Sequence, residues 1–274
     1  MATIGNYEIT GLIGEGGFAR IYQAKHVLLE ELACLKQCKI NTKDYEELLR
    51  QEAKILWKLS EHHSIPHAKD FLKADDGSAV MVMSYIDGKT LEDLIPKKTR
   101  VHPEDACWIT QRLLEALYYC HYNGVIHSDV KPGNVIVEPG KHDIKLIDFG
   151  IAVYRPSNHT KPVGYTNTFA APEIVAGKPP IPETDIYGAG MVMLCALGGD
   201  PRTRDLPKDV PEPIRDYCNS LLKYDPMERP NWEKTNLIQN LSDVRFQVFG
   251  RRNTEASKKT HPDDKESLRT EKVI

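Results

Sequence analysis

The chain has 274 residues, of which 41% are hydrophobic and 27% charged, with a formal net charge of -3. That length suits one large domain or two small lobes with a real core. The near-neutral charge argues against both a nucleic-acid binder and a polyacidic chain.

In chain order, the opening "MATIGNYEIT" has neither a basic flank nor an apolar run, so no secretory signal is expected. "YEITGLI", "FARIYQA" and "LACLKQC" are short runs of β-branched, aromatic and apolar residues and read as strands; "GEGG", Gly14 to Gly17, turns the first into the second. Asp44 to Ser60 reads as a helix, with Leu48, Ile55, Leu56 and Leu59 on one stripe and Glu52 on that same stripe. His62, His63 and His67 cluster without a Cys or carboxylate at ligand spacing, so no metal is expected there. Ala79 to Ile86 reads as a buried strand, followed by Asp87-Gly88. From about Leu91 the pattern turns helical. Pro103 opens a long helix through Tyr122 whose core face is Ala106, Ile109, Leu113, Ala116, Leu117 and Cys120. "HDIKLIDFG" is a short strand ending in an acid. Asp185 to Leu197 is apolar nearly all round and reads as a buried central helix. The longest apolar run, Ala189 to Gly199, falls well short of the ~20 residues of a bilayer span, so no membrane segment is expected. Further helices are expected near Glu212 to Leu222 and Trp232 to Leu241. After Gly250 the chain is charged and lacks aromatics, and 250–274 is expected to be a disordered tail. Strands therefore precede helices: an α+β chain with a small β-rich lobe, a larger helical lobe and a hinge near Tyr85 to Gly88. The six scattered cysteines, without a CxxC pair, read as reduced thiols in a cytoplasmic protein.

The chemistry lies at a few positions. Glycines at 14, 16 and 17 let backbone N–H groups approach an anion, although a plain hairpin turn explains them as well. Lys36 lies in an apolar strand, either edge-exposed or paired. Glu52 on the inward stripe of the next helix favours pairing, because a buried carboxylate is costly alone. "HSDVKPGN", His127 to Asn134, puts an acid, a base and a carboxamide in one loop between apolar runs. Asp129 is the candidate base for a substrate hydroxyl. Lys131 can neutralise a transferred phosphoryl group. Asn134 and Asp148 offer the oxygens that Mg²⁺ prefers. Phosphoryl transfer needs such positioned charges more than covalent chemistry.

In order, "GEGGFARI", Lys36 in "ACLK", Glu52, "HSDVKPGN", "DFG" (Asp148 to Gly150), "APE" (Ala171 to Glu173), Asp185 in "DIYGAG" and Arg229 in "DPMERP" resemble the eukaryotic-type (Hanks-type) serine/threonine protein kinase family over roughly residues 7 to 245. The resemblance implies a two-lobed kinase-like fold, with an N-lobe of about 7–86 and a C-lobe of about 87–245. It implies ATP and Mg²⁺ (Mn²⁺ as a substitute) and a protein substrate with a serine or threonine acceptor. Lys131 and Thr166 match the serine/threonine pattern rather than the tyrosine one. Asp129, Lys131, Lys36 and Glu52 take the catalytic roles, and Asn134 and Asp148 the metal. The Gly-rich loop, Gly14, Glu15, Gly16 and Gly17, and Lys36 hold the nucleotide. The resemblance also implies an adenine pocket between the lobes lined by Ile13, Ile21, Cys34, Met83, Ile136 and Ile147, with Ser84, Tyr85 and Ile86 offering backbone hydrogen bonds. Targeting is left to the tail, the helical lobe or a regulatory partner.

Three departures stand out. Ala19 replaces the loop's third glycine. The segment between Asp185 and Arg229 is compact, with a reduced helix expected. Ser128 replaces the arginine that most of the family carries beside the catalytic aspartate. Without that charge, alignment by activation-loop phosphorylation is not expected to be needed. Ser128 also brings the loop close to the "HGDxxxxN" of small-molecule phosphotransferases, which generally lack the "GEGGF", "APE" and "DIYGAG" features present here. A pseudokinase, binding nucleotide without catalysis, is the other alternative, although its usual losses at Lys36, Asp129, Asn134 or Asp148 are absent.

Overall fold

The computed structural model describes residues 2–96, 99–252 and 268–273. The chain divides into two units, Met1–Asp87 and Gly88–Ile274, so the hinge expected near Tyr85 to Gly88 falls at the division.

The first unit runs β1 (Thr3–Ile4), β2 (Tyr7–Glu15), β3 (Ala19–His26), β4 (Leu32–Cys38), α1 (Lys43–Lys58), β5 (Ala68–Lys73) and β6 (Ala79–Ser84). The strands form one antiparallel sheet in the order β1-β2-β3-β4-β6-β5. β4 and β6 are central and buried on both faces, which is why "ACL" and "AVMV" are apolar without alternation. Ala33 and Leu35 join Val80 and Val82 in one core. Cys34 and Lys36 face the other way, opposite Met83 and Met81. α1 starts at Thr42, whose hydroxyl accepts from the Tyr45 N–H, and carries acids in its first turn and Lys58 in its last. Its buried stripe is Leu49, Glu52, Ile55 and Leu56, continued by Leu59. Leu48, expected on that stripe, is 38% exposed, and Leu49 holds the position instead. β5 has no counterpart in the sequence reading. It is an edge strand, only partly buried, so "AKDFLK" needs no apolar density.

The second unit runs β7 (Lys89–Thr90), α2 (Leu91–Leu94), β8 (Thr99–Val101), α3 (Pro103–Tyr122), β9 (Val125–Ile126), β10 (Val135–Glu138), β11 (Asp143–Leu146), β12 (Val153–Tyr154), α4 (Pro172–Val175), α5 (Pro182–Ala196), α6 (Glu212–Leu221), α7 (Leu237–Phe249) and β13 (Thr270–Lys272). α3 spans the predicted residues, and its expected core face is fully buried. α5 is the apolar central helix, packed on α3 and α6. Two glycines let it sit close to its neighbours. A Cβ on Gly188 would stand 2.6 Å from Val130, and one on Gly190 would stand 2.8 Å from Leu221. From 198 to 211 there are only turns before α6. α7 starts five residues later than Trp232. Asn231 draws the Lys234 N–H to its side chain, which competes with helix there, and Asn236 is the N-cap of α7, its side chain accepting from the Gln239 N–H. Gly250, at φ 68°, ends it in the left-handed conformation.

The tail expectation meets a difference at the chain's end. Residues 253–267 lie outside the described residues, but β13 pairs with β8. Among the described residues no helix is long and apolar enough to cross a membrane. All six cysteines are free.

One buried ion pair anchors α4. Arg229 is 1% exposed and Glu173 4%. The Arg229 guanidinium donates from Nη1 and Nη2 to both Glu173 oxygens at 2.7 and 2.8 Å. Its other N–H groups reach the carbonyls of Glu183, Lys223 and Tyr224, and Tyr187 lies 4.8 Å beneath it. All five donors are satisfied, so the pair offsets its desolvation only as a pair. Arg229→Ala should therefore lower stability by about 3–5 kcal/mol in denaturant titration, and pairing it with Glu173→Met should recover most of that loss. A single-variant loss below about 1 kcal/mol would mean that Glu173 is not held as an uncompensated charge.

Candidate active site

In the first unit the Lys36 ammonium donates to both Glu52 oxygens at 2.8 Å. The pair is buried, with Lys36 6% and Glu52 3% exposed. Lys36 is thus a central-strand residue rather than an edge one. The inward carboxylate of α1 is explained by it. Phe18, from the tip between β2 and β3, lies 5.7 Å from the Lys36 ammonium and stacks on Tyr45 at 6.0 Å. Sequence reasoning passed over Phe18, whose only signal is its place beside the glycines.

That tip is the Gly-rich loop. Gly14 pairs with Ile21 and Glu15 with Arg20 across the hairpin, and the Gly16 N–H donates to the Ala19 carbonyl at 2.9 Å. None of Gly14, Gly16 and Gly17 has a positive φ. A Cβ on Gly17 would meet nothing within 4 Å, and one on Gly16 would first meet the Ala19 oxygen at 3.9 Å. Neither turn conformation nor packing requires glycine at 16 or 17. Lys39 binds Glu15 at 2.6 Å and holds its carboxyl below the usual range.

Ile13 is 51% exposed; Ile21, Met83 and, in the second unit, Ile136 and Ile147 are half-buried. Complete core packing therefore does not account for them. Cys34 is buried beside Met83, and burial pushes its thiol up to about 12, so it is an inert apolar neighbour. The Ser84 N–H is committed to the His67 carbonyl at 2.9 Å and its hydroxyl accepts from the His67 N–H. Ser84 thus serves the sheet with its own N–H. Tyr85 and Ile86 lie beyond the strand, outside any element.

In the second unit the loop after β9 brings Asp129, Lys131 and Asn134 together. The Lys131 ammonium donates to Asp129 Oδ2 at 2.6 Å. Asn134 Nδ2 donates to the Asp129 carbonyl at 2.8 Å and to Oδ2 at 3.1 Å. Thr166, 37 residues on, donates its hydroxyl to Asp129 Oδ1 at 3.0 Å and accepts from Lys131 at 2.9 Å. The sequence marked Thr166 only as a class indicator; its contact with the acid was not readable from spacing.

The loop is held from below by Asp185, 1% exposed. Its oxygens accept from the backbone N–H of His127 and of Ser128, both at 2.8 Å, and from His121 Nε2 at 2.8 Å. Trp232 Nε1 donates to His121 Nδ1 at 2.7 Å, which fixes the ring hydrogen on Nε2. His127 Nε2 donates to the Ile147 carbonyl at 3.0 Å, tying this loop to the residue before Asp148. Ser128 and Asp148 both have left-handed backbone, at φ 69° and 61°. The Ser128 hydroxyl is buried with no hydrogen-bond partner among the described residues.

The donor set suits a hard divalent cation. Asn134 commits its amide nitrogen to Asp129, which leaves Oδ1 as its free donor atom, and Asp148 adds an exposed carboxylate.

A family model described as the protein kinase domain matches residues 7–239. The SNF1-related protein kinase catalytic subunit alpha KIN12 of Arabidopsis thaliana is 31% identical over 198 residues, which is 71% of this chain and 40% of its own length. The serine/threonine-protein kinase PrkC of Bacillus subtilis is 31% identical over 201 residues, 71% of this chain and 31% of its own length. Aurora kinase C of Mus musculus is 29% identical over 246 residues, 83% of this chain and 88% of its own length. The aligned part of this chain thus spans well under half of the first two relatives and most of the third.

Asp185→Asn should loosen the loop while leaving the helix folded. It replaces a charged acceptor of three hydrogen bonds, each worth about 1.5–3 kcal/mol, by a group with one acceptor oxygen. Amide hydrogen exchange at His127 and Ser128 should quicken by at least roughly tenfold. Unchanged exchange at both would show that Asp185 does not hold the loop.

Proposed function

The chain belongs to the protein kinase family, and on that premise we propose that it transfers the γ-phosphoryl group of ATP, with Mg²⁺, to serine or threonine hydroxyls of protein substrates. The observation that carries this reading is the Asp129 carboxylate, which accepts from Lys131, from Asn134 and from a threonine hydroxyl at 3.0 Å. A carboxylate so placed orients a hydroxyl and can take its proton.

Each remaining residue has a role on this reading. The Gly14–Gly17 loop and Lys36 bind phosphate oxygens, and Glu52 keeps Lys36 extended and charged. Asn134 and Asp148 hold the divalent cation, which when bound neutralises charge on the phosphates. Lys131 balances the charge that develops on the transferred group. The Lys36–Glu52 pair is formed, and Asp129 is supported by three donors. Both features favour a working kinase over a nucleotide-binding scaffold. The buried Glu173–Arg229 pair and the apolar central helix α5 favour a protein kinase over a small-molecule phosphotransferase.

The reading extends to regulation. Ser128 brings no charge beside Asp129, and its N–H donates to the Asp185 carboxylate. Ser157 and Thr160 bond each other in an exposed turn. Alignment of Asp129 therefore needs no phosphate on that turn.

The direct test is transfer of labelled γ-phosphate from Mg²⁺-ATP to a generic basic protein, with aminoglycosides and choline as alternative acceptors. Label should appear on protein serine or threonine, and Asp129→Asn should reduce the rate by about 10²–10⁴-fold with nucleotide binding intact. Label on the small molecules alone, or binding without transfer, would overturn the reading. Ser157→Ala with Thr160→Ala should keep activity within about tenfold of the parent, since no charge in the loop awaits a phosphate. A larger loss would refute independence from phosphorylation while leaving the kinase reading in place.

A further inference from the structure

β13 lies beyond the region matched by the family, which ends at residue 239. It adds to the edge of β8 as an antiparallel strand, with Thr270 opposite Val101, Glu271 opposite Arg100 and Lys272 opposite Thr99. The His102 N–H donates to the Arg269 carbonyl at 2.8 Å and continues the ladder. Alternate side chains of an extended segment share a face. Arg269, Glu271 and Val273 are thus one set, with Glu271 and Val273 half-buried and Arg269 exposed, and Thr270 and Lys272 are the other, both exposed.

Each member of the first set has its own seat. The Arg269 Nε donates to Asp105 Oδ2 at 3.0 Å, its Nη2 to Glu104 Oε2 at 2.8 Å, and its backbone N–H to Asp105 at 3.2 Å. Glu271 accepts from Arg100 Nε at 3.2 Å and Nη2 at 3.1 Å. Val273 Cγ2 stands 2.7 Å from where a Cβ on Gly198 would be, so that seat exists because residue 198 has no side chain.

The seats belong to the folded unit. Glu104 and Asp105 open α3, Arg100 lies in β8, and Gly198 follows α5. Glu104 is 0% exposed and Asp105 4%. Glu104 also accepts from Arg251, and Arg100 also binds Asp209. Asp105 differs: among the described residues every hydrogen bond to its carboxylate comes from Arg269. A carboxylate whose hydrogen bonds among the described residues all come from one distant arginine is half of a recognition pair, because it loses every charge-assisted bond whenever that segment is away.

We propose that the β8 edge, with Asp105, Arg100 and Gly198, is a peptide-docking slot that reads Arg-x-Glu-x-Val in an extended strand, and that its occupant is this chain's own residues 269–273, bound in cis. The mode is strand addition, in which the ladder supplies affinity and alternate seats supply register. A slip by one residue would present Thr270 and Lys272 to the seats and leave Asp105 unpaired.

The test uses the 274-residue chain with Arg269→Ala, Glu271→Ala and Val273→Ala together, which vacates the seats. The probe is a fluorescent peptide, Ser-Leu-Arg-Thr-Glu-Lys-Val-Ile, followed by anisotropy. The vacated chain should bind it saturably and at least about tenfold more tightly than the parent chain, whose slot is filled. The same peptide with alanine for its arginine should bind at least about tenfold more weakly. No saturable binding to the folded variant, or equal binding of both peptides, overturns the proposal. Should the triple variant not fold, hydrogen exchange at the His102 amide decides. Arg269→Ala alone should speed it at least about tenfold, and an unchanged rate overturns the proposal. Sedimentation of the parent chain should show a monomer across concentration; a dimer abolished by the triple variant would overturn the assignment in cis.

Discussion

A single buried carboxylate sets the position of the loop at 127–134. Asp185 projects from the central helix and receives two consecutive backbone N–H groups, those of His127 and Ser128. Two adjacent amides can converge on one carboxylate only if the chain turns sharply there. Ser128 makes that turn, with its φ at 69°. A left-handed non-glycine residue costs roughly 1–2 kcal/mol, whereas a hydrogen bond to a charged acceptor returns about 1.5–3 kcal/mol. The carboxylate therefore outweighs the strain. Asp129, next in the chain, is positioned as a result. Gly188 completes the arrangement by letting α5 approach Val130.

Charge is handled differently in different parts of the molecule. Arg229 and Glu173 satisfy each other and every remaining guanidinium N–H finds a carbonyl, so that pair is closed and structural. Around Asp129 the donors are of another kind. A lysine ammonium, an amide and a hydroxyl all reach one carboxylate, and the hydroxyl belongs to Thr166, on a segment remote from the loop. One ion pair is thus saturated under a helix, whereas the other carboxylate gathers donors of three kinds from two segments of the chain.

How legible each feature was in the sequence follows from how local its determinants are. Asp129, Lys131 and Asn134 lie within six residues, so a short window shows them together. The helix stripe places Glu52 inward, where a carboxylate is costly alone, and that favours pairing with Lys36. Pro103 and the apolar period bound α3 without help from tertiary structure. β5 was missed because an edge strand needs little burial. The start of α7 was misplaced because Asn231 diverts the Lys234 N–H to its side chain and Asn236 caps the helix just before Leu237, neither of which the apolar pattern shows. Leu48 and Leu49 are adjacent on a helix, and packing on the sheet chooses between them. β13 was invisible for a further reason. Its charged residues look like solvated tail until partners 164 positions away are known.

Motif spacing stops at Arg229, and the family match stops at residue 239. Burial does not stop there. Glu104 sits in the first turn of α3, where burial alone would raise its pKa. Arg251 and Arg269 outweigh that and hold the carboxyl at about 2. Both arginines lie beyond the matched region. A helix that opens with two buried acids at positions 104 and 105 is therefore incomplete without cations from the end of the chain. Favourable placement of acids at a helix N-terminus is worth roughly 0.3–1 kcal/mol when exposed, too little to offset the burial of two carboxylates, which costs several kcal/mol per ion. The arginines make up the difference, and the physical domain extends to the strand that carries the second of them.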